Sequence, residues 1–127
     1  MTAEHLQADC PHCGQQFSYE RFHAGFSNEG YMYCDQDEAV FTWDAYAPAY
    51  ARLLDKHPWM LTADERHRVE SVVRPCPCGG RFAFGNPPLC PKCHADISAL
   101  VPNKDYFIVT GRRVNGDKDD AWVDTGD

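Results

Sequence analysis

Cysteine spacing constrains this chain more than any other feature. Most of its seven cysteines stand in tight pairs: Cys10-Pro-His-Cys13, Cys76-Pro-Cys78 and Cys90-Pro-Lys-Cys93, with Cys34 apart. A disulfide inside such a pair closes a ring too small to staple a fold, and an odd total leaves one thiol over. The pattern reads as metal ligation by thiolates. A chain of 127 residues with 43% hydrophobic residues has room for one compact domain or two very small ones.

The densest cluster is Cys76-Pro-Cys78-Gly79-Gly80 followed by Cys90-Pro-Lys-Cys93. Zinc takes four tetrahedrally placed ligands, with sulfur at about 2.3 Å. Two short cysteine turns supply them when a hairpin brings the turns together. Glycine after the second cysteine lets the backbone take positive φ. The 11-residue spacer carries Phe82 and Phe84 in alternation and a Gly85-Asn86-Pro87-Pro88 turn, as a hairpin would. The expectation is a closed site of Cys76, Cys78, Cys90 and Cys93.

Through Cys76, Cys78, Gly79, Cys90 and Cys93, roughly residues 74–96 resemble the zinc-ribbon, or rubredoxin-like, family. The chain departs from the usual pattern in having one residue between Cys76 and Cys78, and in placing His94 where the family often has glycine. The resemblance implies a structural zinc module of the kind found in larger assemblies with nucleic-acid or protein partners. It implies no reaction.

Cys10-Pro-His-Cys13-Gly14 is a second such turn, and Cys34 offers a third sulfur. Asp37 stands three residues after Cys34, where a second cysteine would stand, and a carboxylate ligates zinc at about 2.0–2.2 Å. The reading therefore makes Cys10, Cys13, Cys34 and Asp37 a second site. His12, His23, Asp35 or water are the alternative fourth ligands. Three ligands plus water would give a catalytic zinc, with Asp35, Asp37 or Glu38 as base. An interleaved pairing of Cys10 and Cys13 with Cys90 and Cys93 is the competing arrangement. Consecutive pairing requires less chain rearrangement and is preferred. Two further readings of the thiols are weaker. Cys90-Pro-Lys-Cys93-His94 matches c-type haem attachment, but the N-terminal residues carry no basic and apolar export pattern. Redox use of C-x-x-C is disfavoured by the duplicated clusters.

Strands are expected around Phe17–Tyr19, Gly30–Cys34 and Ala39–Trp43, with Gly25, Asn28 and Gly30 in loops. A helix with Pro48 in its first turn presents Tyr50, Leu53 and Leu54 and stops before Pro58. A second opens on the capping box Thr62-Ala-Asp-Glu65, presents Val69, Val72 and Val73, and ends at Pro75. Tyr106–Thr110, the turn signal Asn115-Gly116 and Ala121–Val123 suggest a C-terminal hairpin. The expected fold is a small zinc-stabilised α+β protein. Residues 1–45 form a first ribbon-like module, 46–74 a helical segment, and 75–127 a second ribbon plus the hairpin. Most of Phe41, Trp43, Tyr46, Tyr50 and Trp59 are expected in the core.

The net charge of −7 is uneven: −8 over residues 1–65, +5 over 66–113 and −4 over 114–127. An acidic whole disfavours a general nucleic-acid binder. The first functional expectation is a two-zinc, cytoplasmic module that binds another protein, with acidic faces suited to a basic partner in the manner of an inhibitor or immunity protein. The second is a nucleic-acid-associated ribbon using Arg74, Arg81, Lys92, Lys104, Arg112 and Arg113, with Phe82 and Phe84 for base stacking. The third is a metal-dependent enzyme with an open site. The first expects no catalysis.

Overall fold

In the computed structural model, residues 4–23, 28–100 and 105–123 are described. Gly25, Lys104 and the acidic tail 124–127 lie outside them, as does the side chain of His23.

Among the described residues the fold is α+β, with two sheets and two helices. The first sheet is antiparallel. β1 (Glu4–Asp9) pairs with β2 (Gln16–His23), which pairs in turn with β6 (Asp105–Val109). The second sheet has the order β5 (Phe82–Ala83), β3 (Glu29–Cys34), β4 (Val40–Asp44), β7 (Arg113–Asn115). β7 runs parallel to β4. Each sheet therefore draws strands from both ends of the chain.

Two expectations fail here for identifiable reasons. Phe82 and Phe84 do not fold back on their own segment. β5 pairs with β3, with Cys34 opposite Phe82, because Phe82 is buried against Phe41 at a ring distance of 5.4 Å. Nor do the described C-terminal residues form a hairpin, since β6 and β7 join different sheets. Gly116 is required by close approach rather than by a hairpin turn: a Cβ there would meet the Phe41 ring at 2.5 Å and the Thr42 carbonyl at 2.6 Å. Ala121 lies in a 3-10 turn, and Trp122 forms a single bridge with Val73.

The helices match their sequence signals. α1 (Pro48–Leu53) has Pro48 in its first turn. α2 (Ala63–Val72) opens on the Thr62–Glu65 capping box, with Thr62 Oγ1 accepting from the Glu65 amide and Glu65 accepting from the Thr62 amide. Both helices cover one face of the second sheet. There Phe41, Trp43, Tyr50, Val69, Val73 and Trp122 form the main core, while Tyr46 and Trp59 stay outside it.

Aromatic stacking joins the sheets. Phe22, Tyr106 and Tyr31 lie ring on ring, 5.0 and 4.2 Å apart, and the Arg113 guanidinium caps Phe22. Such pairs contribute about 1 kcal/mol each beyond the area they bury. The stack fixes the sheets so that the turns carrying the cysteines face one another.

Candidate metal centres

Four short turns carry the candidate ligands, and three share one construction. In the turn after β1, the Cys10 amide donates to the Gln15 carbonyl at 2.9 Å and the His12 amide points at Cys10 Sγ at 3.3 Å. In Cys90–Cys93 the equivalent bonds are Cys90 to Ala95, 2.9 Å, and Lys92 to Cys90 Sγ, 3.3 Å. The turn between β3 and β4 repeats them: Cys34 to Ala39, 3.0 Å, and Gln36 to Cys34 Sγ, 3.4 Å. Asp37 thus occupies the position that the second cysteine holds in the other two. The shorter Cys76–Cys78 turn closes with Cys76 to Gly80, 2.9 Å, and Gly80 to Cys78 Sγ, 3.4 Å. Gly14, Gly79 and His94 follow the second cysteine with φ of 75°, 95° and 59°. His94 adopts the left-handed conformation that glycine takes elsewhere, at some backbone cost.

These turns meet in two groups. Cys10, Cys13, Cys90 and Cys93 form an outer site, and Cys34, Asp37, Cys76 and Cys78 an inner site nested within it along the chain. In each group the four donor atoms lie within 4.8 Å of one another. The structure therefore departs from the expected consecutive pairing: Cys76 and Cys78 do not meet Cys90 and Cys93, nor do Cys10 and Cys13 meet Cys34 and Asp37. The cause lies in the sheets. Pairing β5 with β3 carries Cys78 to Cys34. Cys10, Cys90, Ile97 and Phe107 share a separate small core beneath β2 and β6. Neither His12, which bonds the Asp96 carbonyl, nor Asp35, which accepts from the Arg81 amide, belongs to either group.

All seven cysteines are free. A tetrahedral ion with about 2.3 Å arms to sulfur separates its thiolates by about 3.8 Å. The outer site has Cys10–Cys93 at 3.7 Å and Cys13–Cys90 at 3.8 Å. With one oxygen ligand the sulfur–oxygen edge shortens to about 3.6 Å. The inner site has Cys76 Sγ to Asp37 Oδ1 at 3.6 Å and Cys34–Cys78 at 3.5 Å. Both donor sets fit one ion apiece. A cluster, which puts several atoms between its thiolates, needs a wider cage.

Each centre is buried on one side. Cys10, Cys90, Cys34, Cys76 and Asp37 are buried, while Cys13, Cys93 and Cys78 reach the surface. Asp37 is held at both oxygens: Oδ1 accepts from the Ala39 amide at 2.9 Å, and Oδ2 from Arg112 Nη2 at 2.8 Å. Burial opposes its charge, but the Ala39 amide, the Cys34 and Cys78 thiols and the Arg112 charge prevail and hold the carboxyl below its ordinary range. Arg112 Nε also pairs with Glu38 at 2.8 Å, and Glu38 lies 3.8 Å from His94 Nε2. Asp37, Arg112, Glu38 and His94 thus form a polar chain from one centre to the other. Sequence reasoning missed the role of Arg112, which lies 75 positions from Asp37 and carries no local motif.

A family model described as a domain of unknown function, DUF8255, matches residues 6–99. The chain belongs to this family. The matched DUF8255 segment contains all eight candidate ligands, whereas Arg112 lies beyond it. No curated protein matches the chain, and no solved structure does. Among the described residues, no helix is long and apolar enough to cross a membrane.

The thiols make metal uptake pH-dependent. Burial raises Cys34 to about 11 and pushes Cys76 up further. Both hold protons at neutral pH, and a metal must displace them. In the outer site the Ala95 amide lowers Cys93, but burial and the neighbouring thiols prevail and raise it to about 12. Burial also raises Cys10, yet the Cys13 and His12 amides and the facing thiols bring it down to about 6. Inner-site affinity should therefore fall at least about 100-fold per unit decrease in pH, tenfold for each of Cys34 and Cys76. For the outer site, Cys10 adds to the slope only below about pH 6. Competition titrations against a chromophoric chelator from pH 5.5 to 8 measure both slopes. A flat inner-site profile would contradict the assignment.

Proposed function

We propose that both centres bind zinc structurally and that the protein acts by binding another protein. The observation that carries this reading is the donor count: each centre brings four protein donors within 4.8 Å of one another, the number a closed structural zinc site takes. Cavities of about 830, 360 and 320 Å³ open elsewhere, and none is lined by any of the eight ligands. A catalytic metal needs an open position beside a substrate pocket. Zinc here instead takes the part of a covalent staple, tying strands from both ends of the chain.

The nucleic-acid reading is weaker in this fold. Phe82 is buried. Arg112 is committed to Asp37 and Glu38, and Arg113 to Phe22. An inhibitor or immunity-type role remains the version that best uses the acidic charge, which steers association with a basic partner.

Affinity capture with the metal-loaded chain tests the proposal. The expected result is a stoichiometric protein partner that is lost when the metal is stripped. Recovery of no partner at any salt concentration would overturn it.

A further inference from the structure

Of the large apolar side chains exposed among the described residues, three occur within one stretch: Tyr46 at 72%, Trp59 at 47% and Met60 at 48%. Tyr46 and Trp59 are linked in space through His57. Tyr46 packs edge-on against His57 at 6.4 Å, and His57 stacks on Trp59 at 6.5 Å with ring planes 14° apart. Trp59 also borders a cavity of about 320 Å³ with Glu29, Tyr31 and Phe84. Tyr, Trp and Met are the residues enriched where proteins meet.

The surface is built to stay in place. Tyr50 Oη donates to the Lys56 carbonyl at 2.6 Å, and Lys56 Nζ binds Glu65 at 2.8 Å. The Met60 amide bonds the His57 carbonyl, and Pro58 is buried. A connection pinned at both ends loses little entropy on binding.

Its edge is acidic. The Tyr46 amide donates to Asp44 Oδ1 at 2.8 Å, and the Asp44 amide donates to Asp117 Oδ1 at 2.7 Å. Glu29, opposite Asp44 in the β3–β4 register, accepts from Tyr106 Oη at 3.1 Å and lines the cavity beside Trp59 together with Arg66. Of the nearby bases, Lys56 is tied to Glu65, and Arg66 lies over the Phe84 ring.

We propose that Tyr46, Trp59 and Met60 form the docking surface for a lysine- or arginine-rich segment of a partner protein. The exposed parts of Trp59 and Tyr46 meet the cations and their alkyl stems, and Asp44 and Asp117 supply the complementary charge. The inference builds on the protein-binding reading above and names its surface and partner chemistry.

A displayed library of random dodecapeptides, panned at low salt on the metal-loaded full chain, tests it. Selected peptides should be rich in Lys and Arg. Trp59→Ala should weaken them at least tenfold, Trp59→Phe should retain most of the binding, and Asp44→Asn should flatten the salt dependence. Both Trp59 variants should keep the wild-type circular dichroism spectrum. Recovery of no peptide, of peptides without basic excess, or of binding indifferent to Trp59→Ala would overturn the proposal. A wild-type dimer dissolved by Trp59→Ala would also overturn it, assigning the surface to a second copy. If Trp59→Ala captures the same lysate partner as wild type, this surface fails while the protein-binding reading stands. If wild type captures none, the broader reading fails.

Discussion

Stripping the metal with EDTA is expected to abolish the near-UV circular dichroism and the cooperative unfolding transition of this protein. The reason is where the ligands sit. Cys34 and Cys76 belong to the main core beside Phe41 and Phe82, and Cys10 and Cys90 to the small core beneath the first sheet. Without an ion, these sulfurs must be buried as thiols or as unpaired thiolates, and Asp37 keeps its charge. Structural zinc contributes about 10–16 kcal/mol to folding in small domains, whereas whole domains are stable by only about 5–15 kcal/mol. Losing both ions is therefore enough to remove the net stability. Far-UV and near-UV spectra before and after chelation, and after zinc is restored, give the readout. Unchanged spectra and an unchanged melting temperature in EDTA would show that the thiols are ordinary core residues.

Gly80→Ala should cost one metal ion without removing a ligand. A Cβ at Gly80 would lie 2.6 Å from Cys34 Sγ, 2.8 Å from Asp35 Oδ1 and 2.8 Å from Gln36 Cγ. Real side chains do not approach so closely, and the sulfur cannot retreat without leaving its place at the inner site. The backbone is not the problem, because positive φ falls on Gly79 instead. We expect the inner site to empty, metal content to fall from two ions to one, and stability to drop by more than about 4 kcal/mol, the range reserved for disrupted buried sites. Gly85→Ala is the control. Nothing lies within 4 Å of its Cβ, so it should change stability by less than about 0.5 kcal/mol. Metal analysis and denaturant titration of both variants separate collision from a general intolerance of alanine in this segment.

Local chemistry was legible in the sequence, and long-range pairing was not. The Thr62–Glu65 box, Pro48 and the β-branched and aromatic runs each act within a few residues, and each formed the element its pattern implies. β1 was missed, although Leu6, Ala8 and Cys10 alternate inward against polar neighbours, the period-two signal of a half-buried strand. Asp37 was readable as a ligand candidate because its spacing from Cys34 copies that of a cysteine turn. What spacing could not show was which turns meet. That depends on β5 choosing β3 as its partner, and on Phe82 finding a place against Phe41. The short-loop preference for consecutive pairing was overridden by this burial, since loop closure costs rise only slowly with length. Asn115-Gly116 misled for a related reason: the glycine answers to the Phe41 ring, a contact far away in sequence.

The nested arrangement of the centres is the claim on which the rest stands, and metal content of the Cys10→Ser/Cys90→Ser double variant tests it most directly. Both substitutions fall within the outer site, so the account predicts that one of two ions is lost and the inner ion stays. Consecutive pairing places these residues in different centres. Loss of both ions from the double variant, with each single variant losing one, would contradict the account.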